Sequence, residues 1–332
     1  MAKHHIVQDK YLTQWRKADK ENQLNIYLIS DNKFIERGPG WRGFWRKDFN
    51  IFDSKKKEFY LPENVAALID SKGIESIRKI DCVNQKQLNG EERNCIAFYV
   101  ALQYIRTPRH REETDKFMEA TIKYFMRKDV SSLDKMKISK EEILKHKPTN
   151  KREQEALEKI SVMTDEKIKK QTFEFLHGND YKIQLTNTGH SKDILKIDRL
   201  AKGLFEARWL FLIVPKDSFF ATSDNPCFTL SPTKIRNGLL SPNVIVFFPL
   251  RPNLCIAINP GIKSKTEHFL KLDKKGIKEI NQLILANSYE CFIAKDRKQL
   301  ESLTKNFDYK NHRKSRDVAV SEFGNHVMFN VE

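Results

Sequence analysis

One stretch of the sequence, residues 95–111, leads from an apolar run into polar side chains that could bind an anion. Gln103 and Arg106 are three residues apart and therefore share one face of a predicted helix. A guanidinium group binds a carboxylate or a phosphate through two parallel hydrogen bonds. We therefore expect Arg106 to clamp an anionic substrate and Gln103 to position it. Equally, Arg106 could form a buried ion pair with Asp224 that holds this helix against a sheet.

Two further polar residues, Arg109 and His110, follow at the end of this helix and are candidate substrate-binding residues. A histidine acting as acid or base beside an arginine that stabilises phosphate would suit metal-independent RNA cleavage. The spacing of Arg106 and His110 is, however, one residue short of the RxxxxH pattern of helical ribonucleases, and Pro108 interrupts the helix between them. The similarity to those enzymes is therefore weak.

Two distant segments carry residues that could act on the same anion. His4 and His5 open the chain, and neighbours on an extended segment point to opposite sides, so we expect one of them to serve as acid or base. Asp224 and Asn225 precede Pro226 in a turn between apolar segments, which places them at the end of a strand. We expect Asp224 to orient the histidine or the arginine, and Asn225 to position the substrate. The alternative is an exposed terminal pair and an ordinary turn.

A loop over residues 37–47 combines glycine, aromatic residues and cations. Its three glycines and its proline exclude a regular helix. Trp41 and Arg42 could stack on bases and contact phosphates, so both are candidate substrate-binding residues. The alternative, which we favour, is a loop anchored on the core by its aromatic residues, with its cations reaching solvent.

The composition favours a folded protein with an anionic partner. The chain has 332 residues, of which 39% are hydrophobic, and this is enough to form a sizeable core. Sixty Lys and Arg against 44 Asp and Glu give a formal net charge of +16, which favours nucleic acid or another phosphate-bearing ligand. The alternative is a solvated, lysine-rich surface with no specific polyanion partner.

Several classes of protein lack support in the sequence. The phosphate loop of nucleotide-hydrolysing motors, the GxGxxG of dehydrogenases and the GxSxG of α/β-hydrolases are all absent. Neither the five cysteines nor the histidines have metal-ligand spacing, so no metal or cofactor is expected. No leading apolar segment and no apolar run of about 18 residues occurs, so we expect a soluble cytoplasmic protein with reduced thiols and no membrane partner.

The elements that must position these residues follow from hydrophobic periodicity and from breaks at glycine and proline. The pattern predicts helices at residues 64–77, 90–105, 194–209 and 277–288, and a highly charged helical region at 112–170. It predicts strands at residues 24–30, 34–35, 209–214, 243–249, 254–258 and 290–294, the last of these being the final strand.

These elements predict an α+β fold in which a central helical region packs on a mixed, mostly antiparallel sheet. The N-terminal hairpin and the C-terminal strands would form that sheet. Residues 1–332 would be a single domain, with residues 112–192 as a helical insertion or subdomain within it.

Four ordered segments of the chain are HHIVQDKYLTQW (4–15), ALQYIRTPRHR (101–111), FFATSDNPCF (219–228) and VIVFFPLRPN (244–253). Together they resemble one family, the uncharacterised domain-of-unknown-function family 4238. Gln8 departs from the family's opening segment, which usually has proline there. The resemblance implies a grouping and no activity, but it suggests that His4, His5, Gln103, Arg106, Asp224 and Asn225 converge.

Charge and candidate residues together favour an enzyme that acts on a phosphate-bearing substrate. We expect a nuclease-like hydrolase of RNA or DNA, as in bacterial defence or toxin proteins, with nucleic acid as its partner. The alternative is a non-catalytic protein that binds nucleic acid or another anionic partner.

Overall fold

The computed structural model describes residues 3–17, 22–50, 61–232, 238–312, 314–323 and 326–331. The chain divides into two compact units. The first unit comprises residues 1–114, 185–317 and 330–332, and the second comprises residues 115–184 and 318–329. That residues 112–192 form a separate insertion or subdomain stays a prediction.

Helices and strands are numbered in chain order. The helices are α1 (Asp9–Leu12), α2 (Leu61–Arg78), α3 (Gly90–Ile105), α4 (Pro108–Asp129), α5 (Lys140–Leu144), α6 (Lys151–Ser161), α7 (Asp165–His177), α8 (Asn187–Leu195), α9 (Asp198–Phe205), α10 (Lys274–Asn287) and α11 (Arg297–Thr304). The strands are β1 (Lys3–His5), β2 (Leu24–Leu28), β3 (Lys33–Arg37), β4 (Trp45–Lys47), β5 (Ala207–Ile213), β6 (Thr222–Ser223), β7 (Phe228–Leu230), β8 (Ile245–Arg251), β9 (Leu254–Lys263), β10 (Glu267–Lys271), β11 (Cys291–Ala294), β12 (Val318–Phe323) and β13 (His326–Val331).

The strands of the first unit confirm the predicted α+β fold. The N-terminal hairpin, β2 and β3, joins β11 and β6 in an antiparallel sheet of order β3-β2-β11-β6. A second sheet has the order β10-β5-β9-β8-β7. Among its described strands, β10 and β5 pair in parallel and the other neighbours pair antiparallel. Both ends of this unit's sequence therefore contribute to its sheets, as expected.

Helix α3 lies at the centre of the first unit because it is apolar on several faces. Its residues Tyr99 and Val100 share one hydrophobic core with Trp209 on β5 and Phe248 on β8. Asn89 caps the helix in a reciprocal arrangement with Glu92, so that both orphan N–H groups are bonded.

The junction between α3 and α4 confirms the predicted helix end. Helix α3 ends at Ile105, and Pro108 opens α4 in the first helical position, where its missing N–H is tolerated. Arg106 and Thr107 therefore lie at a corner between two long helices.

Two predictions about secondary structure were wrong. The helix expected over residues 194–209 is divided into α8 and α9 near Lys196, and the chain already enters β5 at Ala207. Residues 290–294 are not the final strand, because β12 and β13 follow and pair in a two-stranded sheet.

Helix α2 approaches α3 closely at Gly73. A Cβ atom added to Gly73 would lie 2.5 Å from the Tyr99 side chain of α3. Only glycine permits this approach, which sets the spacing of the two helices near Asp70, one turn earlier on α2.

None of the helices that the structure describes has both the length and the apolar character that crossing a bilayer requires. All five cysteines lie in the described part of the chain and are free thiols, and Cys227, Cys255 and Cys291 are buried. Burial raises the pKa of all three of these thiols.

Candidate functional site

An ion pair between α3 and α2 forms the centre of the candidate site. Arg106, at the end of α3, donates from Nη1 to Oδ2 of Asp70 at 2.7 Å. The two residues are only 1% and 7% exposed. The alternative ion pair of Arg106 with Asp224 was therefore wrong, because the partner of Arg106 is Asp70 on α2.

The Arg106–Asp70 pair leaves part of each group unpaired. Nε and Nη2 of Arg106 have no hydrogen-bond partner among the described residues, and neither does Oδ1 of Asp70. Nε and Nη2 form one edge of the planar guanidinium group, and such an edge can hold a phosphate or carboxylate through two parallel hydrogen bonds. Arg106 is thus anchored at one nitrogen and retains an anion-binding edge.

Gln103 lies one turn before Arg106 on α3 and is fully buried. Within the described ranges, neither its Oε1 nor its Nε2 has a hydrogen-bond partner. A buried polar group without a partner costs about 1–3 kcal/mol, so such groups are rare unless they serve a function. Burial of the Gln103 amide therefore destabilises the folded protein, and no hydrogen bond among the described residues offsets this effect.

His4 is fixed on β1 with one ring nitrogen towards the protein. Its Nδ1 accepts the main-chain N–H of Asn50 at 2.7 Å, so the proton of the neutral ring is on Nε2. Burial lowers the pKa of His4, although the nearby Glu63 carboxylate acts in the opposite direction. Nε2 is buried and unpaired among the described residues, so His4 presents a fixed N–H donor.

Asn50 holds His4 in this orientation. Its side chain donates to Glu63 at 3.1 Å and accepts from Nη2 of Arg111 at 2.8 Å. The Arg111 guanidinium in turn lies 3.4 Å from the ring centroid of Phe49. Nothing in the sequence pattern marked Asn50, because its role depends on the pairing of β1 with β4.

His5 points to the other side of β1 and is partly exposed. Its Nδ1 lies 3.4 Å from Oδ1 of Asp9, and the two side chains are 35% and 43% exposed. Burial raises the pKa of Asp70, whereas the Arg106 guanidinium and, as the smallest effect, His5 lower it. His5 therefore lies close enough to the buried ion pair to interact with it electrostatically.

Five residues are called the polar cluster below: His5, Asp9, Asp70, Gln103 and Arg106. Three of them, His5, Gln103 and Arg106, were predicted from the sequence, whereas Asp9 and Asp70 were missed and His4 lies on the other side of β1. Its buried part carries unpaired donors and acceptors, and its exposed part carries a His–Asp pair.

Asp224 was expected to orient a histidine or arginine, but it stabilises the main chain instead. Its carboxylate accepts the N–H groups of Tyr289, Glu290 and Cys291 at 2.9, 2.7 and 3.3 Å. Burial raises the pKa of Asp224 to about 6, even though these hydrogen bonds favour the charged form. Asp224 thus fastens the β6–β7 turn to the start of β11, and its expected orienting role stays a prediction.

Asn225 joins the same turn to two helices. Its Oδ1 accepts from the hydroxyl of Thr107 at 3.0 Å, and its Nδ2 donates to the carbonyl of Asn287 at 2.8 Å. Both ends of the amide are therefore bonded to protein. The turn lies against the α3–α4 corner next to Arg106, but Asn225 is not one of the unpaired groups.

Arg109 and His110 line a separate small pocket together with Asn225. Arg109 is buried and donates to Glu113 at 3.0 Å and to the carbonyl of Asn287 at 2.8 Å. The ring of His110 packs on that of Tyr104 with 4.9 Å between centroids. Their predicted roles in substrate binding stay predictions.

The loop with Trp41 and Arg42 is anchored on the protein. Phe44 is buried, its ring meets that of Trp41 edge-on at 5.4 Å, and Trp41 lies so close over Gly43 that a Cβ there would be 2.0 Å from its ring. Arg42 is exposed. This geometry agrees with the interpretation as a packed loop, and the proposed contacts of Trp41 and Arg42 with a substrate stay predictions.

Motifs from three parts of the chain meet at Tyr11 rather than at the polar cluster. The Tyr11 hydroxyl lies 2.7 Å from Oγ1 of Thr222 and donates to the carbonyl of Pro249 at 2.6 Å. Trp15 donates to the carbonyl of Phe220 at 2.8 Å. Much of the family resemblance carried by these segments therefore reflects contacts that stabilise the fold.

Within the described ranges, no group of three or more His, Cys, Asp or Glu side chains is arranged to hold a metal ion.

A family model described as "Protein of unknown function (DUF4238)" matches residues 3–298 of the chain. No curated protein and no solved structure matches the chain.

Proposed function

The chain belongs to the DUF4238 family, and from its polar cluster we propose that it is a nuclease-like hydrolase that cleaves phosphodiester bonds of RNA or DNA. The observation that carries the proposal is the unpaired Nε–Nη2 edge of the buried Arg106. The net charge of +16 supports it, because an excess of cations raises the local concentration of polyanions.

Arg106 supplies the phosphate-binding group. Asp70 holds its Nη1, so the guanidinium plane is fixed before substrate arrives. The Nε2–H group of His4, oriented by Asn50 on the other side of β1, is a further fixed donor near the start of the chain. Donors that are already oriented stabilise the charge that develops on a phosphoryl group without reorganising during the reaction.

His5 supplies the acid or base, with Asp9 as its partner. A carboxylate beside one ring nitrogen orients a histidine and stabilises its protonated form. Nδ1 of His5 and Oδ1 of Asp9 are 3.4 Å apart and form no hydrogen bond, so a small rotation of either side chain must bring them into contact. The partial exposure of both side chains allows proton exchange with water. In this assignment Asp9 takes the orienting role that was expected of Asp224.

Substrate binding requires a local rearrangement. The unpaired atoms of Arg106 and Gln103 are enclosed, whereas His5 and Asp9 reach solvent. A nucleotide unit therefore enters past His5 and displaces side chains above Arg106. A flexible single strand can insert one nucleotide in this way more readily than a duplex can.

Cleavage of labelled single-stranded RNA and DNA by the purified protein tests this function. Arg106→Lys keeps a cation beside Asp70 but removes the two-nitrogen edge, and we expect it to lower the rate by about 100-fold. Arg297→Lys is the matched control, because Arg297 lies on the exposed surface of α11 and pairs with Glu301.

Absence of cleavage by the wild-type protein, or equal rates for wild type and Arg106→Lys, would contradict the proposed function. Binding of single-stranded RNA or DNA without cleavage would favour a non-catalytic nucleic-acid-binding protein.

A further inference from the structure

The polar cluster presents unpaired hydrogen-bond acceptors as well as donors. Among the described residues, Oδ1 of Asp70 and Oε1 of Gln103 have no donor, while Nε and Nη2 of Arg106 have no acceptor. A fully ionised phosphate only accepts hydrogen bonds, so it satisfies Arg106 and leaves both acceptors unpaired. The cluster therefore suits a ligand that carries a hydrogen-bond donor beside its anionic group.

The donor and the anionic group of that ligand must be close together. Asp70 is joined to Arg106 at 2.7 Å, and Gln103 lies one turn from Arg106 on the same face of α3. In RNA the 2′-hydroxyl lies next to the 3′-phosphate and both donates and accepts hydrogen bonds, whereas DNA has no hydroxyl there.

We propose that the substrate of this site is single-stranded RNA, with its 2′-hydroxyl donating to Asp70 or Gln103 and the adjacent phosphate held by Arg106. This inference rests on the proposed function and narrows it to one nucleic acid. A single strand is required because the acceptors are enclosed: Gln103 is fully buried and Asp70 is 7% exposed. Only an unpaired nucleotide can be turned out of its stack to reach them.

The same arrangement gives the 2′-hydroxyl a chemical role. In the bound state the 2′-hydroxyl donates to Asp70 or Gln103; for the reaction it turns its proton to neutral His5, which takes it as the O2′–P bond forms and the P–O5′ bond breaks. The departing O5′ takes a proton from water, and the resulting hydroxide takes the proton from His5, which restores the starting state. The products are a 2′,3′-cyclic phosphate end and a 5′-hydroxyl end, with no oxidation and no other reactant.

Binding of matched oligonucleotides tests the inference. The probes are one sequence made as single-stranded RNA, DNA, RNA with 2′-fluoro groups and duplex RNA, with affinity measured by fluorescence anisotropy. The full chain carrying His5→Asn is used, so that the probes are not cleaved. A 2′-fluoro group cannot donate a hydrogen bond, so it separates loss of the donor from loss of ribose shape.

We expect single-stranded RNA to bind at least about 10-fold more tightly than the other three probes, since one hydrogen bond to a buried partner has about that effect. Gln103→Leu in the same background should weaken binding of RNA and leave that of DNA unchanged. The wild-type protein, in which His5 is intact, should cleave the RNA and release fragments with 2′,3′-cyclic phosphate ends.

Equal affinity for single-stranded RNA, DNA and 2′-fluoro RNA would overturn this inference. The proposed function would still hold in that case if the wild-type protein cleaved RNA or DNA. Equal binding of duplex RNA would overturn the single-strand requirement. If the wild type cleaves neither RNA nor DNA, the proposed function itself fails.

Discussion

Arg106 contacts Asp70 through one nitrogen, at 2.7 Å, and keeps two nitrogens without a partner among the described residues, although it is only 1% exposed. A purely structural buried arginine in the same unit behaves differently. Arg93 donates to Glu267 and also to the carbonyls of Phe205, Ala207 and Ser264. The comparison distinguishes a cation whose hydrogen bonds are completed by the fold from one that retains an edge for a ligand.

Replacing Gln103 by leucine should separate stability from function. Because the buried amide has no described partner, Gln103→Leu is expected to maintain the free energy of unfolding or raise it by about 1 kcal/mol, while cleavage falls at least 10-fold. Chemical denaturation and the cleavage assay measure the two effects.

The matched control is Gln299→Leu, because Nε2 of Gln299 donates to the carbonyl of Phe219 at 2.6 Å. This variant should lose stability and keep its activity. A marked loss of stability in Gln103→Leu would instead show that the Gln103 amide is bonded within the fold.

Asp224→Ala should destabilise the protein without a specific effect on catalysis. Three main-chain N–H groups would lose their acceptor, which is expected to lower the free energy of unfolding by about 2–4 kcal/mol. Asp217→Asn, in an exposed turn, is the control and should unfold like the wild type. Full stability together with complete loss of cleavage in Asp224→Ala would restore Asp224 to the site.

The raised pKa of Asp224 predicts a distinct dependence of stability on pH. The folded carboxyl group has a pKa of about 6 against an ordinary value of 3.8, so between these values the folded protein binds more protons than the unfolded chain. Its contribution to stability therefore falls as pH rises from about 4 to 6, by roughly 3 kcal/mol.

Urea unfolding at a series of pH values, for wild type and Asp224→Asn, measures this contribution. The wild type should lose stability relative to the variant across that interval, because asparagine does not titrate. A constant difference between the two proteins would contradict the assignment.

Gly73→Ala should disturb the position of Asp70. The new methyl group would lie 2.5 Å from Cβ of Tyr99, which cannot move aside without shifting α3, so we expect a loss of about 1–3 kcal/mol and weaker cleavage. Gly90→Ala is the control, since its methyl group would meet nothing within 4 Å. Comparable melting temperatures for the two variants would show that the helices tolerate a wider spacing.

Local signals allowed the main helix and the sheets to be predicted. Pro108 marks the end of α3 by its helix-breaking chemistry, and the apolar pattern marks the helix itself; the capping pair Asn89 and Glu92 at its start was not recognised. The boundary near Trp209 was missed because α9 and β5 follow one another within a continuous apolar pattern, with Glu206 between them. Periodicity alone does not locate a change from helix to strand inside such a run.

The candidate site was only partly predictable, because its composition depends on tertiary packing. Asp70 is a single acidic residue in a helical pattern, and its importance follows from the close approach at Gly73. His4 and His5 are distinguished only by the pairing of β1 with β4, which buries one and exposes the other. Asp224 had the residue type of a catalytic group, but its three N–H contacts give it a structural role.

The most direct test of the account observes the Nε–H group of Arg106 itself. In ¹⁵N-labelled protein this resonance is assigned by its loss in Arg106→Lys, and the protein is then titrated with a short single-stranded RNA that ends in a 3′-phosphate. The account predicts that the Arg106 Nε–H signal shifts downfield and exchanges more slowly with water as RNA binds, while that of Arg93 stays unchanged. An unchanged Arg106 signal at saturating RNA would contradict the claim that its free edge holds the phosphate.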